Sequence, residues 1–179
     1  MKKLLLAGAA LLASASPSQA TVIADTGGNP AGTPWSFARW QYFAGEVTLA
    51  QGYTINSVEG YFANSSGSAG TVTAQLFSDG GNVPGTLLFS QAFNLNGVAP
   101  LDWYGATGLN WSVGAGSYWL AFAPDANVSG IWPGDAPSPL DEYAQASGGA
   151  WQNVGPNAFD YLDVGVRISG TPNVAAAVG

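Results

Sequence analysis

Residues 71–89 read "TVTAQLFSDGGNVPGTLLF", and the reading of their middle, 78–85, decides the fold. On the left, Val72, Ala74 and Leu76 alternate with Thr71, Thr73 and Gln75, the two-residue period of a strand with one buried face. On the right, a second apolar run begins. Between them stand Asp79, two glycines, Asn82 and the pair Pro84-Gly85. Calcium takes about six to eight oxygens, and this stretch offers one carboxylate and one amide. A phosphate-cradling loop leads into a helix and carries a lysine, whereas a β-like run follows here. Gly80 and Gly81 accept positive φ, Asn82 tolerates it, and Pro84-Gly85 suits a second turn. The stretch therefore reads as a hairpin corner. A structural calcium ion held by Asp79 and Asn82 is the alternative, with Asp160 and Asp163 of "FDYLDVGVRISG" as further oxygen donors.

The same punctuation recurs outward along the chain. Short alternating runs come about every ten residues, separated by Gly, Pro or Asn clusters. "SYWLAFA" sets Tyr118, Leu120 and Phe122 against Trp119 and Ala121. "YLDVGVRIS" sets Leu162, Val164, Val166 and Ile168 inward, with Asp163 and Arg167 outward. In "YTINSVEGYF" the phase slips between Ile55 and Val58, which predicts a bulge. No helical period follows residue 20. The expected architecture is all-β, a two-sheet antiparallel β-sandwich of jelly-roll type, with a small closed barrel as the lesser alternative. Residues 124–140, rich in Pro, Gly and Asp, read as a long surface loop.

The chain opens "MKKLLLAGAALLASASPSQA". Two lysines, an apolar run too short to span a bilayer and the small-x-small site Ser18-Gln19-Ala20 read as a secretory signal peptide over residues 1–20. A flexible lead over 21–35, one domain over 36–170 and a tail over 171–179 follow. Export is expected, to the cell envelope or the extracellular space, without a membrane span in the mature chain. Removing Lys2 and Lys3 leaves Arg39 and Arg167 against eleven carboxylates, a net charge of −9. Such a surface repels phosphate backbones, which argues against nucleic acid. The chain has no cysteine and no histidine. Disulfides, a Ser-His-Asp triad and zinc sites of the usual nitrogen and sulfur kind are excluded.

Two kinds of side chain remain as candidates. Tryptophan and tyrosine join an apolar face to a polar edge and stack on sugar rings. Trp111 and Trp40 read as core. Trp132, in the Pro/Gly-rich loop, and Trp103-Tyr104, at a turn, read as exposed; with Trp151 they form the expected ligand-binding set, with polysaccharide as the partner. Carboxylates are the other kind. "VEGYFANSSGSAG" (58–70) and "SPLDEYAQ" (138–145) resemble segments of the small jelly-roll xylanases, which implies Glu59 and Glu142 as the paired carboxyls of a glycoside hydrolase. The two segments stand in the reverse of that family's order, and Phe62 and Ala63 interrupt the first.

"YTINSVEGYFA", "GTVTAQLFSDGGNVPGTLL", "GLNWSVGAGSYWLAFAP" and "DYLDVGVRISG" together resemble exported β-sandwich proteins of Gram-negative bacteria, of the PEP-CTERM-associated type. The resemblance implies an envelope or extracellular protein, often linked with exopolysaccharide production, with no assigned activity. Together with the signal peptide, the strand pattern and the missing His and Cys, it leads to the expectation of a non-enzymatic protein of the cell surface or extracellular matrix without a cofactor. That family's tail carries Pro-Glu-Pro, an apolar helix and a basic cluster. Here the chain reads "ISGTPNVAAAVG", so the sorting tail is absent or degenerate.

Overall fold

The structure, a computed structural model, describes residues 19–134, 143–147, 149–154 and 164–173. Among them there is no helix, and none long and apolar enough to cross a membrane. The strands are β1 (Thr21–Asp25), β2 (Pro34–Ala38), β3 (Gln41–Leu49), β4 (Tyr53–Asn64), β5 (Gly70–Asp79) and β6 (Pro84–Leu95), followed by β7 (Ala99–Val113), β8 (Gly116–Pro124), β9 (Ser129–Pro133), β10 (Tyr143–Ser147), β11 (Ala150–Asn153) and β12 (Val166–Pro172).

All pairings are antiparallel, in the order β1-β12-β4-β9-β2-β3-β8-β5-β6, with β7 on the far edge of β4 and the β10–β11 hairpin on β3. The sheet curls until its halves face each other, β1-β12-β4-β7 across from β3-β8-β5-β6, with β9 and β2 forming the bridge. This is the expected all-β sandwich, joined along one side. Aromatic rings fill the space between the halves: Phe62 of β4 lies 5.7 Å from Phe122 of β8, and Phe89 of β6 stacks 5.6 Å from Trp111 of β7. Burying such rings is the main driving force for folding in a chain without disulfides.

The alternating runs behave as their period dictates. Val72, Ala74 and Leu76 are buried in the core, as are Val164, Val166 and Ile168. The phase slip in β4 is a bulge: Ser57 and Ile55 oppose the consecutive residues Ser169 and Gly170, leaving Asn56 as the extra residue. Ile55 and Val58 are both buried because of it.

Four expectations change. Trp132 is 0% exposed, not on a loop. The segment read as loop 124–140 contains β9, and its pairing with β2 turns Trp132 into the core and Ile131 outward. The Trp132 ring meets Phe37, Phe62 and Phe122, each with centroids 5.5 Å away, and its indole donates to the Gly165 carbonyl. Trp40, expected in the core, is 58% exposed, because Arg39 and Trp40 form the two-residue turn between the paired Ala38 and Gln41. The lead is structured rather than loose: β1 pairs with β12, and the buried hydroxyl of Thr26 donates to the Val164 carbonyl and accepts from the Val166 amide. Finally, β8 is buried on both faces. Leu120 and Phe122 enter the main core, while Trp119 and Ala121 pack on Ala44, Phe77 and Ala144, with Trp151 of the β10–β11 hairpin covering them.

Candidate functional site

The corner at 78–85 is a hairpin turn closed by the Asp79↔Pro84 pair and by the Gly80 amide donating to the Val83 carbonyl at 2.9 Å. Gly81 (φ 85°) and Asn82 (φ 64°) take the left-handed positions. Gly80 serves differently from expectation: a Cβ there would lie 2.8 Å from the Gly85 Cα, so it permits close backbone approach. The Asp79 carboxylate faces protein donors. Its Oδ1 accepts from the Trp119 indole at 3.2 Å and from the Gly81 amide at 3.0 Å. Those bonds, the indole's first, hold its carboxyl below the usual carboxylate range. The Asn82 carbonyl accepts from the Asn153 side chain of β11. The corner thus ties the β5–β6 hairpin to β8 and to the β10–β11 hairpin. Among the described residues no group of three or more acidic side chains is placed to hold a metal. Asp160 and Asp163 lie outside the described residues.

On the outer face of β1-β12-β4-β7, half-exposed charged, aromatic and hydroxyl side chains collect, and Trp103, read as exposed at a turn, lies half-buried within β7. Register places Asp25, Arg167, Glu59 and Gly105 in one row across the four strands. Arg167 Nε donates to Asp25 at 2.8 Å, and its Nη1 stands 3.8 Å from Glu59. Toward one end, the next row contains the directly opposed pair Tyr61 and Trp103, with rings 5.3 Å apart. The Arg167 guanidinium sits 4.0 Å over the Trp103 ring, a contact that fixes the indole's orientation. Gly28 and Gly165 pack on Tyr61, where a Cβ would come within 3 Å of the ring or its Cβ. Toward the other end, alternation and register leave Ser169, Ser57 and Thr107, then Thr171, Thr54 and Ser112, on the same side. The face is therefore a strip of hydroxyls ending at a held aromatic pair, with one cation between two carboxylates.

Of the four expected ligand-binding aromatics, only Trp103 belongs to this face. Tyr104, its neighbour on β7, points to the other side, packs 5.8 Å from Phe62 and donates its hydroxyl to the Pro100 carbonyl at 2.8 Å. Burial, and next the Asp102 charge, push its phenol up, so it stays protonated and structural. Trp132 is in the core, and Trp151 seals Trp119 with its ring 5.4 Å from Tyr42 and 5.8 Å from Phe77. Glu59 lies on this face beside Arg167; its expected partner, Glu142, lies outside the described residues. Tyr61 and the stacking role of Arg167 are additions that the sequence reading lacks. Glu59 and Tyr61 share a face by their spacing, but only the strand register brings Trp103 and Arg167 to them.

No model of a known protein family matches the chain, and no curated protein matches it.

Proposed function

We propose that this chain is an exported, non-enzymatic protein of the cell surface or extracellular matrix that contacts polysaccharide through the outer face of β12, β4 and β7. Trp103 is the stacking platform, Tyr61 and Arg167 hold it, and the Ser and Thr strip meets sugar hydroxyls beyond it. The observation that carries the reading is the Tyr61–Trp103–Arg167 contact, which holds a half-buried indole on the outer side of the sheet. Holding the ring before the ligand arrives reduces the ordering cost of binding. Trp40, the more exposed indole, stands on a turn instead.

Charge narrows the ligand. The full chain carries −7, and the Asp25–Arg167–Glu59 row carries one excess negative charge. Anionic polysaccharides are repelled at low salt, so the face suits neutral chains. Affinity gel electrophoresis in gels containing soluble neutral polysaccharides or acidic ones tests this. Retardation by at least one neutral polymer, weakened by Trp103→Ala, is expected. Mobility unaffected by every polymer, or retardation that is undiminished in Trp103→Ala for every polymer, would overturn it.

A further inference from the structure

A cleft of about 440 Å³ opens at the end of the opposite half of the sandwich, where the start of β5, the end of β6 and the turn after β8 meet. Its polar lining is Thr71, Asn94, Asn96, Asp125 and Asn127. Thr71 and Asn94 are directly opposed and lie on the outer side of their strands, since the next pair, Val72 and Phe93, faces inward. The cleft therefore belongs to a different outer surface from the Trp103 face.

Its walls are firmly held. Asp125 spends its carboxylate on backbone amides: Oδ2 accepts from Thr71 at 2.9 Å, and Oδ1 accepts from Asn127 at 2.8 Å and Val128 at 3.2 Å. The Thr71 carbonyl accepts the Asp125 amide in return at 2.9 Å. Gly70 lets the turn come this close, because a Cβ there would lie 2.6 Å from Asp125 Oδ1. Behind it, the buried Asn64 joins three segments. Its Nδ2 donates to the carbonyls of Ser68 and Asn96, and its Oδ1 accepts from the amides of Ser66 and Ser129. In contrast, the side-chain amides of Asn94, Asn96 and Asn127 make no hydrogen bond among the described residues.

We propose that this cleft is a second binding site, independent of Trp103, and that it takes one neutral saccharide ring. Three solvent-exposed amides lining one cleft offer both donors and acceptors. A sugar hydroxyl both donates and accepts, and neighbouring hydroxyls match such amides. The lining disfavours other ligand classes. Anions meet Asp125 and the chain's negative charge, with no lysine or arginine in the lining. A cation finds one carboxylate, whose oxygens already face three amides, where a hard ion wants several free oxygens. An apolar ligand would strand the amides without partners.

Side-chain amide resonances give the test in the Trp103→Ala protein, so that failure of the Trp103 face does not mask this site. Neutral mono- and disaccharides of glucose, galactose, mannose and N-acetylglucosamine are the probes, with calcium chloride and sodium sulfate as separate arms. Saturable shifts of at least two of the three Asn amides with one sugar, lost in Asn127→Ala while the backbone spectrum elsewhere is retained, are expected. No shift with any sugar overturns the proposal, as do shifts produced by calcium or sulfate instead. Asn127 is exposed, so its replacement leaves the fold intact.

Discussion

Single side chains in this protein divide between those that hold backbone and those whose polar groups face solvent. Asn64 is the strongest example of the first kind, 1% exposed with its amide group fully used. Asn64→Ala leaves the Ser66 and Ser129 amides and the Asn96 carbonyl without this partner at a part-buried junction, while the Ser68 carbonyl keeps the Ser66 hydroxyl. A loss of about 3 kcal/mol follows, read as a lower urea midpoint at unchanged m-value. Nothing in "YFANSS" marks this role, because it depends on three segments distant in sequence. Asp79 is the acid-sensitive residue. Its folded-state pKa lies below the unfolded value of about 4. Its contribution is therefore complete above that value and is lost as pH falls through the lowered one. The Trp119 indole proton should report this as a titration in strongly acidic solution, absent in Asp79→Asn. Identical titrations in both proteins would contradict the assignment.

At the scale of elements, alternation was readable wherever one face is buried. It succeeded for β5 and β12, and the break in phase located the β4 bulge. It failed for β8, since a strand buried on both faces carries no polar side to mark it. It failed again at β9, where Gly130 and Pro133 looked like loop punctuation although five residues suffice for a bridging strand. The hairpin at 78–85 was legible because its turn residues and flanking runs agree. Gly81→Ala should cost about 1–2 kcal/mol, the penalty for a Cβ in the left-handed region. Asn82→Gly should be nearly neutral, since glycine takes the same region without strain. Thermal unfolding of the two variants checks this, and equal losses would refute the geometry. The β10–β11 hairpin is a local unit. Trp151→Ala should raise amide exchange in β10 and β11 and red-shift Trp119 emission, leaving exchange in β4 and β5 unchanged.

For the whole molecule, composition led reliably to the class of fold. Abundant turn residues and aromatics suit strands joined by turns, and the lack of cysteine requires a core that suffices by itself, which the two facing halves supply. The exposure of the tryptophans was less legible. Tryptophans read as exposed or buried from local punctuation were sorted wrongly at Trp132 and Trp40, because sheet curvature and strand pairing decide which indoles the core takes. What the fold assembles is a held indole, Trp103, on one outer face, beside a row of one cation and two carboxylates. The most direct measurement is fluorine NMR of 5-fluorotryptophan-labelled protein during titration with the neutral polysaccharide that retards it most. The Trp103 signal should move and saturate while those of Trp119 and Trp132 stay fixed. Movement of the Trp40 signal with Trp103 unchanged, or no movement of any signal, would contradict it.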